Sequence, residues 1–129
     1  MLETGIKGTK TVTVNEDNTA KTMGSGTLDV FATPALIALM EETCWRSVAD
    51  KLDEGCGTVG TRLEVSHTAP TPLGMEVTCE STLTEVDGRR LVFEVTARDV
   101  KGVVGEGRHE RFVIQNDKFQ AKANAKREA

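Results

Sequence analysis

Apolar and polar residues alternate along most of the second half of the chain. Val59, Thr61, Leu63, Val65 and His67 alternate with Gly60, Arg62, Glu64 and Ser66, the period of a strand with one face inward. Met75, Val77, Cys79, Ser81 and Leu83 repeat the pattern. Asp87-Gly88 is a hairpin signal. Beyond it Leu91, Phe93, Val95 and Ala97 share one side of residues 90–100, Lys101-Gly102 makes a further turn, and residues 103–115 form the last strand. Upstream the texture differs. Residues 7–14 are rich in Thr and Val and predict a first strand, and the polar residues 15–28 predict a loop. The stretch Pro34–Asp53 holds no glycine and no internal proline and predicts one long helix. Thr33 can cap it, Pro34 suits its first position, and the glycines at 55 and 57 suit its stop. Residues 116–129 are polar and weakly basic and predict a solvated or frayed tail.

One strand, one long helix and four antiparallel strands predict an α+β fold in which a curved antiparallel sheet wraps a single helix, as one domain over residues 1–129. Only one helix is available to cover five strands, so a second subunit is expected against the remaining surface. Composition points the same way. Only 38% of residues are apolar and 4% aromatic, little for a chain that stands alone, and a homo-oligomer is expected. The net charge of −4 and pI near 5.2 argue against non-specific nucleic-acid binding, which needs a basic face. Three widely spaced cysteines, Cys44, Cys56 and Cys79, suggest neither a disulfide framework nor zinc ligation. No secretory leader pattern and no membrane-length apolar run is present, so a cytoplasmic protein is expected. No metal and no resident cofactor is expected.

Three side chains stand out for chemistry. On a helical wheel with Leu36 at zero, Glu41 falls at roughly 140°, inside the arc of Met40, Cys44, Ile37, Val48 and Leu52, whereas Glu42 falls at roughly 240°, outside it. A carboxylate on a buried face is costly unless paired or functional; the alternative is a position at the edge of the stripe, reaching water. His67 continues the inward face of its strand, where a structural histidine is the commoner occupant. Thr33 is explained by helix capping, but its hydroxyl also sits beside the free N–H groups and positive end of the helix, where a developing oxyanion is stabilised. His109 shares a strand face with Gly105, Gly107, Arg111 and Val113 and is the weaker histidine. Gly105-Glu106-Gly107 predicts a flexible or closely approached edge. Cys44 and Cys79 fall on apolar faces as inert core. A Gly-x-Ser-x-Gly elbow, a Walker loop and a dinucleotide fingerprint are all missing.

Taken in order, Phe31-Ala32-Thr33-Pro34, Met40-Glu41, Gly60-Thr61, and His67-Thr68-Ala69-Pro70-Thr71-Pro72-x-Gly74 resemble the fluoroacetyl-CoA-thioesterase-like branch of the hotdog thioesterases. Asp87-Gly88-Arg89 and Gly107-x-His109-Glu110-Arg111 extend the likeness, which spans about residues 7–115. Each piece is weak alone. The ordered set, a Thr, a Glu eight residues on and a His a further 26 on, is specific. The resemblance implies a hotdog fold, a homodimer (a tetramer being a further option) with acyl-CoA at the subunit interface, and hydrolysis of an acyl-CoA to free acid and coenzyme A. It implies Thr33, Glu41 and His67 as catalytic residues and Gly60 as the glycine whose N–H holds the thioester oxygen.

One departure bears on substrate. The fluoroacetyl-CoA specialists carry phenylalanines ahead of the helix, whereas residues 23–29 here read Met-Gly-Ser-Gly-Thr-Leu-Asp. A more general short or medium acyl-CoA is therefore expected. The phosphates of CoA call for Lys or Arg, and Arg89, Arg90, Arg111, Lys118, Lys122 and Lys126 are the candidates by position. Two rivals remain: a non-catalytic acyl-CoA-binding hotdog protein, and a hotdog enoyl-CoA hydratase. The second pairs an Asp with a His five residues later, but Arg62 precedes His67 and Val104 precedes His109 at that spacing.

Overall fold

A computed structural model describes residues 2–128. The element order is β1 (Lys7–Thr13), α1 (Ala20–Met23), α2 (Thr33–Val48), β2 (Cys56–His67), β3 (Glu76–Asp87), β4 (Arg90–Asp99), β5 (Gly102–Gln115) and α3 (Asn116–Asn124). The five strands form one antiparallel sheet in the order β1-β3-β4-β5-β2. Helix α2 packs on its inner face, as the alternating pattern predicts.

Helix α2 buries Leu36, Leu39, Met40, Thr43, Cys44 and Val48, spaced three and four apart so that they make one stripe. Opposite them lie Val77, Cys79, Leu83, Leu91, Phe93 and Val95, all buried, the inward set of β3 and β4. Truncating Phe93, with no exposed surface, to Ala would cost about 3–5 kcal/mol. Cys44 and Cys79 are buried in this core, and desolvation pushes the Cys44 thiol up to about 12, so the core assignment for both holds.

Five local expectations change. Residues 15–28 are not all loop: Thr19 caps α1 by accepting from Thr22 N, and Gly24, left-handed at φ 73°, ends it. Thr33 does not cap α2. Ala32 occupies that position without a side-chain bond, and Thr33 is the first helical residue. Strand β2 carries a bulge between Gly60 and Arg62, which breaks the simple alternation through Val59 and Thr61. Gly60 pairs with Arg111 and Leu63 with His109, so Gly60 and Leu63 both face inward while Val59, opposite Phe112, does not. Strand β5 is interior, so Gly105 is closely approached without lying at an edge. A Cβ there would meet Ser66 O at 2.7 Å and Leu36 Cδ2 at 2.8 Å. Finally, the tail is not frayed at its start: α3 and a 3₁₀ turn over Ala125–Arg127 are formed, with no buried residue. No helix among the described residues is long and apolar enough to cross a membrane.

Candidate active site

The inner margin of the sheet beside β2 holds two polar clusters. The first joins the start of α2 to the end of β2. Thr33, relieved of capping, shares a 2.7 Å hydrogen bond between its Oγ1 and His67 Nδ1. The other ring nitrogen, His67 Nε2, is buried and has no hydrogen-bond partner. Burial holds the imidazole below its ordinary value of 6.5, so the ring is neutral at pH 7. A cavity of about 250 Å³ lies against this pair, walled by Ala20, Ser25, Val30 and Phe31 on one side and Thr68–Pro70 on the other.

The second cluster lies further along α2. Glu41 is at the edge of the buried stripe, its side chain 37% exposed, the alternative the wheel left open. Arg111 Nη1 donates to Glu41 Oε2 at 3.1 Å. The guanidinium is itself fixed, with Nε donating to Thr58 Oγ1 at 2.8 Å and Nη2 to the Thr58 carbonyl at 2.9 Å. Nη1 also donates to His109 Nε2 at 3.0 Å. A guanidinium only donates, so Nε2 is the bare nitrogen and Nδ1–H must donate to the Arg62 carbonyl, 2.8 Å away. His109 is wholly buried, and desolvation first, with Arg111 beside it, lowers its pKa from the ordinary histidine value. It lies 3.9 Å from Glu41 Oε2, but as a neutral ring it leaves Arg111 as the countercharge.

Gly60 closes the second cluster. A Cβ at that position would meet Glu41 Oε2 at 2.5 Å, His109 Cε1 at 3.2 Å and Arg111 Nη1 at 3.3 Å. The absent side chain is the space the carboxylate occupies. Thus the structure brings Thr33 to His67, and Glu41 to Gly60 and Arg111, but keeps the two groups apart. Thr33 and Glu41 are eight residues apart on one helix, about 12 Å at the helical rise.

Arg111 requires a correction. Sequence position suggested a strand-end cation for an external phosphate, but it is 5% exposed and spent on Glu41, Thr58 and His109. Arg90 is likewise committed, to Glu110 at 3.0 Å and to Glu85. His109, ranked second among the histidines, is the one beside Glu41. Its signal was present two residues further along its own strand: an Arg sharing an inward face needs a carboxylate and an acceptor nearby.

The chain is similar to several known proteins. Residues 14–117 match the family model described as FlK, fluoroacetyl-CoA-specific thioesterase. The fluoroacetyl-CoA thioesterase of Streptantibioticus cattleyicolor is 46% identical over 98 residues, covering 76% of this chain and 70% of that protein. The solved structure of the fluoroacetyl-CoA thioesterase FlK superposes with a TM-score of 0.93 at 37% identity, over 98% of both chains. A hot-dog-like protein from Thermanaerovibrio acidaminovorans gives 0.87 at 28% identity, over 97% of this chain and 93% of that one. A thioesterase superfamily member from Thermus thermophilus, at 24% identity and a TM-score of 0.90 over 99% and 95%, shares the fold. The sheet-wrapped helix is therefore a hotdog fold, and the chain belongs to the FlK family of fluoroacetyl-CoA-specific thioesterases.

Proposed function

We propose that the protein hydrolyses a short or medium acyl-CoA to the free acid and coenzyme A, as a homodimer in which each centre combines Glu41 of one chain with Thr33 and His67 of the other. The observation that carries the reading is the separation of the two clusters along one unpaired strand edge. Among the described residues, strand β2 pairs only with β5. A twelve-residue edge left open invites a further strand. In an antiparallel two-fold pairing, residue positions on the two strands sum to a constant. An axis near Leu63 and Glu64, in the middle of the exposed stretch, sets His67 opposite residues 59–61 of the partner, beside the partner's Gly60. The orphaned His67 Nε2 supports the same arrangement, since a buried polar atom without a partner costs about 1–3 kcal/mol. Leu63, 37% exposed, would be covered.

In such a centre the thioester oxygen rests on the Gly60 N–H and the acyl group enters the cavity beside the partner's His67. Glu41, oriented by Arg111, then acts in one of two ways. Its carboxylate attacks the carbonyl carbon, breaking the C–S bond and forming an acyl anhydride that water cleaves. Alternatively it takes a proton from a water that attacks in its place. Both routes consume one water and release one acid and one thiol. His67, neutral and held through Nδ1 by Thr33, takes up a proton released from the consumed water and passes it to the departing sulfur. The acyl specificity rests on the wall at residues 23–29, which lacks an aromatic side chain.

Thiol release from a series of acyl-CoA esters tests the activity; no release from any of them would leave a binding protein. Mixing two inactive homodimers, Glu41→Gln and His67→Ala, tests the assembly. A hybrid dimer has one centre with both native groups, so random subunit exchange restores about a quarter of the native rate. Centres built within one chain would stay inactive in every mixture. Incorporation of ¹⁸O from water into Glu41 during single turnover distinguishes the anhydride route.

A further inference from the structure

Helix α3 lies in an exposed position that invites explanation. It is nine residues long with no buried residue, too short to hold itself together in water. Its Lys118 and Lys122, one turn apart, face Arg89 of the β3–β4 turn across a cavity of about 280 Å³, which Ile114, Gln115 and Phe119 complete. Among the described residues no carboxylate lines this cavity, although the chain as a whole carries a net charge of −4. None of the ion pairs among the described residues involves these three cations.

The cavity also leads somewhere. A second hollow of about 620 Å³ shares Ile114 and Phe119 with it, runs between Trp45 and Leu52 of the α2 end and Cys56–Val59 of β2, and reaches Arg111. Arg111 touches Glu41. The two hollows adjoin along Ile114 and Phe119, in a line from three unpaired cations, past an exposed phenylalanine, to the arginine that holds the carboxylate of the proposed centre. From Gln115 back to Arg111 this line follows four residues of strand, roughly 13 Å, a span a pantetheine arm exceeds.

We infer that Arg89, Lys118 and Lys122 seat the phosphates of coenzyme A, with the pantetheine arm lying along Phe119 and Ile114 toward Glu41. The inference rests on the acyl-CoA reading above and adds the site at which the nucleotide end is held. Phosphate oxygens take charge-assisted bonds from Lys and Arg, and Phe119 offers an apolar flank to the arm. Contact with the ligand gives α3 the packing that the protein alone does not supply. Lys126, outside the lining of this cavity, is not part of the seat.

The test compares two substrates with one acyl group: the CoA ester and the N-acetylcysteamine ester, which lacks phosphates. Arg89→Ala and the double variant Lys118→Ala/Lys122→Ala should each raise KM for the CoA ester, the double variant by about ten-fold, with kcat unchanged. The N-acetylcysteamine ester should be hydrolysed as before, and raising ionic strength should penalise the native protein more than the variants. Equal effects on both esters, or no effect on either, would overturn the inference. Calorimetric binding of free CoA separates it from the activity itself. Weaker CoA binding in the variants supports the seat even if no thioester is cleaved. Unchanged CoA binding alongside normal hydrolysis removes the seat and leaves the thioesterase reading intact.

Discussion

Replacing Gly60 by alanine should damage catalysis more than folding. The added methyl would stand 2.5 Å from Glu41 Oε2, whereas carbon and its neighbours settle at about 3.5 Å or more. Relief requires a displacement of roughly 1 Å. Two groups could move. Gly60 is pinned in the sheet opposite Arg111, but the carboxylate is the free end of a three-bond side chain that is 37% exposed, so it moves. The cost to stability is therefore at the lower end of the overpacking range, about 1 kcal/mol. A reacting group displaced by roughly 1 Å costs on the order of 10²-fold in rate. Gly105→Ala is the matched control. There the methyl meets the Ser66 carbonyl and Leu36 in the packed interior, and neither can retreat, so stability falls first. Thermal unfolding and thiol release under saturating acyl-CoA, measured on both variants, give the comparison. A Gly60→Ala protein with native kcat would refute the placement of Glu41 against the reacting carbonyl. One that lost stability as heavily as Gly105→Ala would refute the claim that the carboxylate yields.

Three further outcomes are expected. Ser25→Phe should fill the cavity beside His67 and lower kcat/KM for a six-carbon acyl-CoA at least about ten-fold more than for acetyl-CoA; equal losses would mean the acyl group lies elsewhere. Because burial depresses His67 and His109 below 6.5, the stability tied to their neutral forms is complete above pH 6.5 and is lost as pH falls below it toward their folded values. Melting at pH 7.5 and pH 5 should show a smaller loss for His67→Gln than for the native protein, and kcat/KM should fall with a midpoint under 6.5. Leu63→Lys should place two like charges across the proposed axis, giving monomers by sedimentation and activity that rises with protein concentration. A fully active monomer would end the shared-centre reading.

The fold was legible in the chain because burial in it is one-sided. Strands β3 and β4 are covered by α2 on a single face, so Val77, Cys79, Leu83 and then Leu91, Phe93, Val95 stand out at every second position. The helix was equally plain, since its interior lacks glycine and its proline sits at the start. The bulge in β2 was not legible: Thr61 is an ordinary strand residue, and nothing in its chemistry marks an insertion. The tail helix escaped because it buries nothing and so has no stripe to read. Helix α1 could have been found from Thr19 and Gly24, a cap and a stop that lay within a stretch read as loop.

The candidate site divides in the same way. Glu41 and His67 were singled out from burial arguments, and the ordered family pattern raised their standing. That pattern gave the identities of the residues but not which of them touch. Arg111 stood among the phosphate candidates for its place near a strand end, yet the face it shares with His109 and Val113 already put it inside. The reach from Thr33 to Glu41 was visible as a helical distance before any coordinates. What it implies, a site divided between chains, depends on an edge that only the strand order exposes.

The bulge at Thr61 also limits how the chain can change length. Residues before it and after it are out of phase, so Gly60 and His67 look inward together although seven positions, an odd number, separate them. Deleting Thr61 would restore a plain ladder in which both still face inward, but deleting any other residue between them, or adding one, with the bulge kept, would rotate one of the two to the solvent side while leaving both in the sequence. Insertions in this stretch would have to come in pairs. The segment from 60 to 67 therefore acts as a ruler whose parity matters as much as its letters. A homologue could keep every residue named here and still be silent through a single-codon gap.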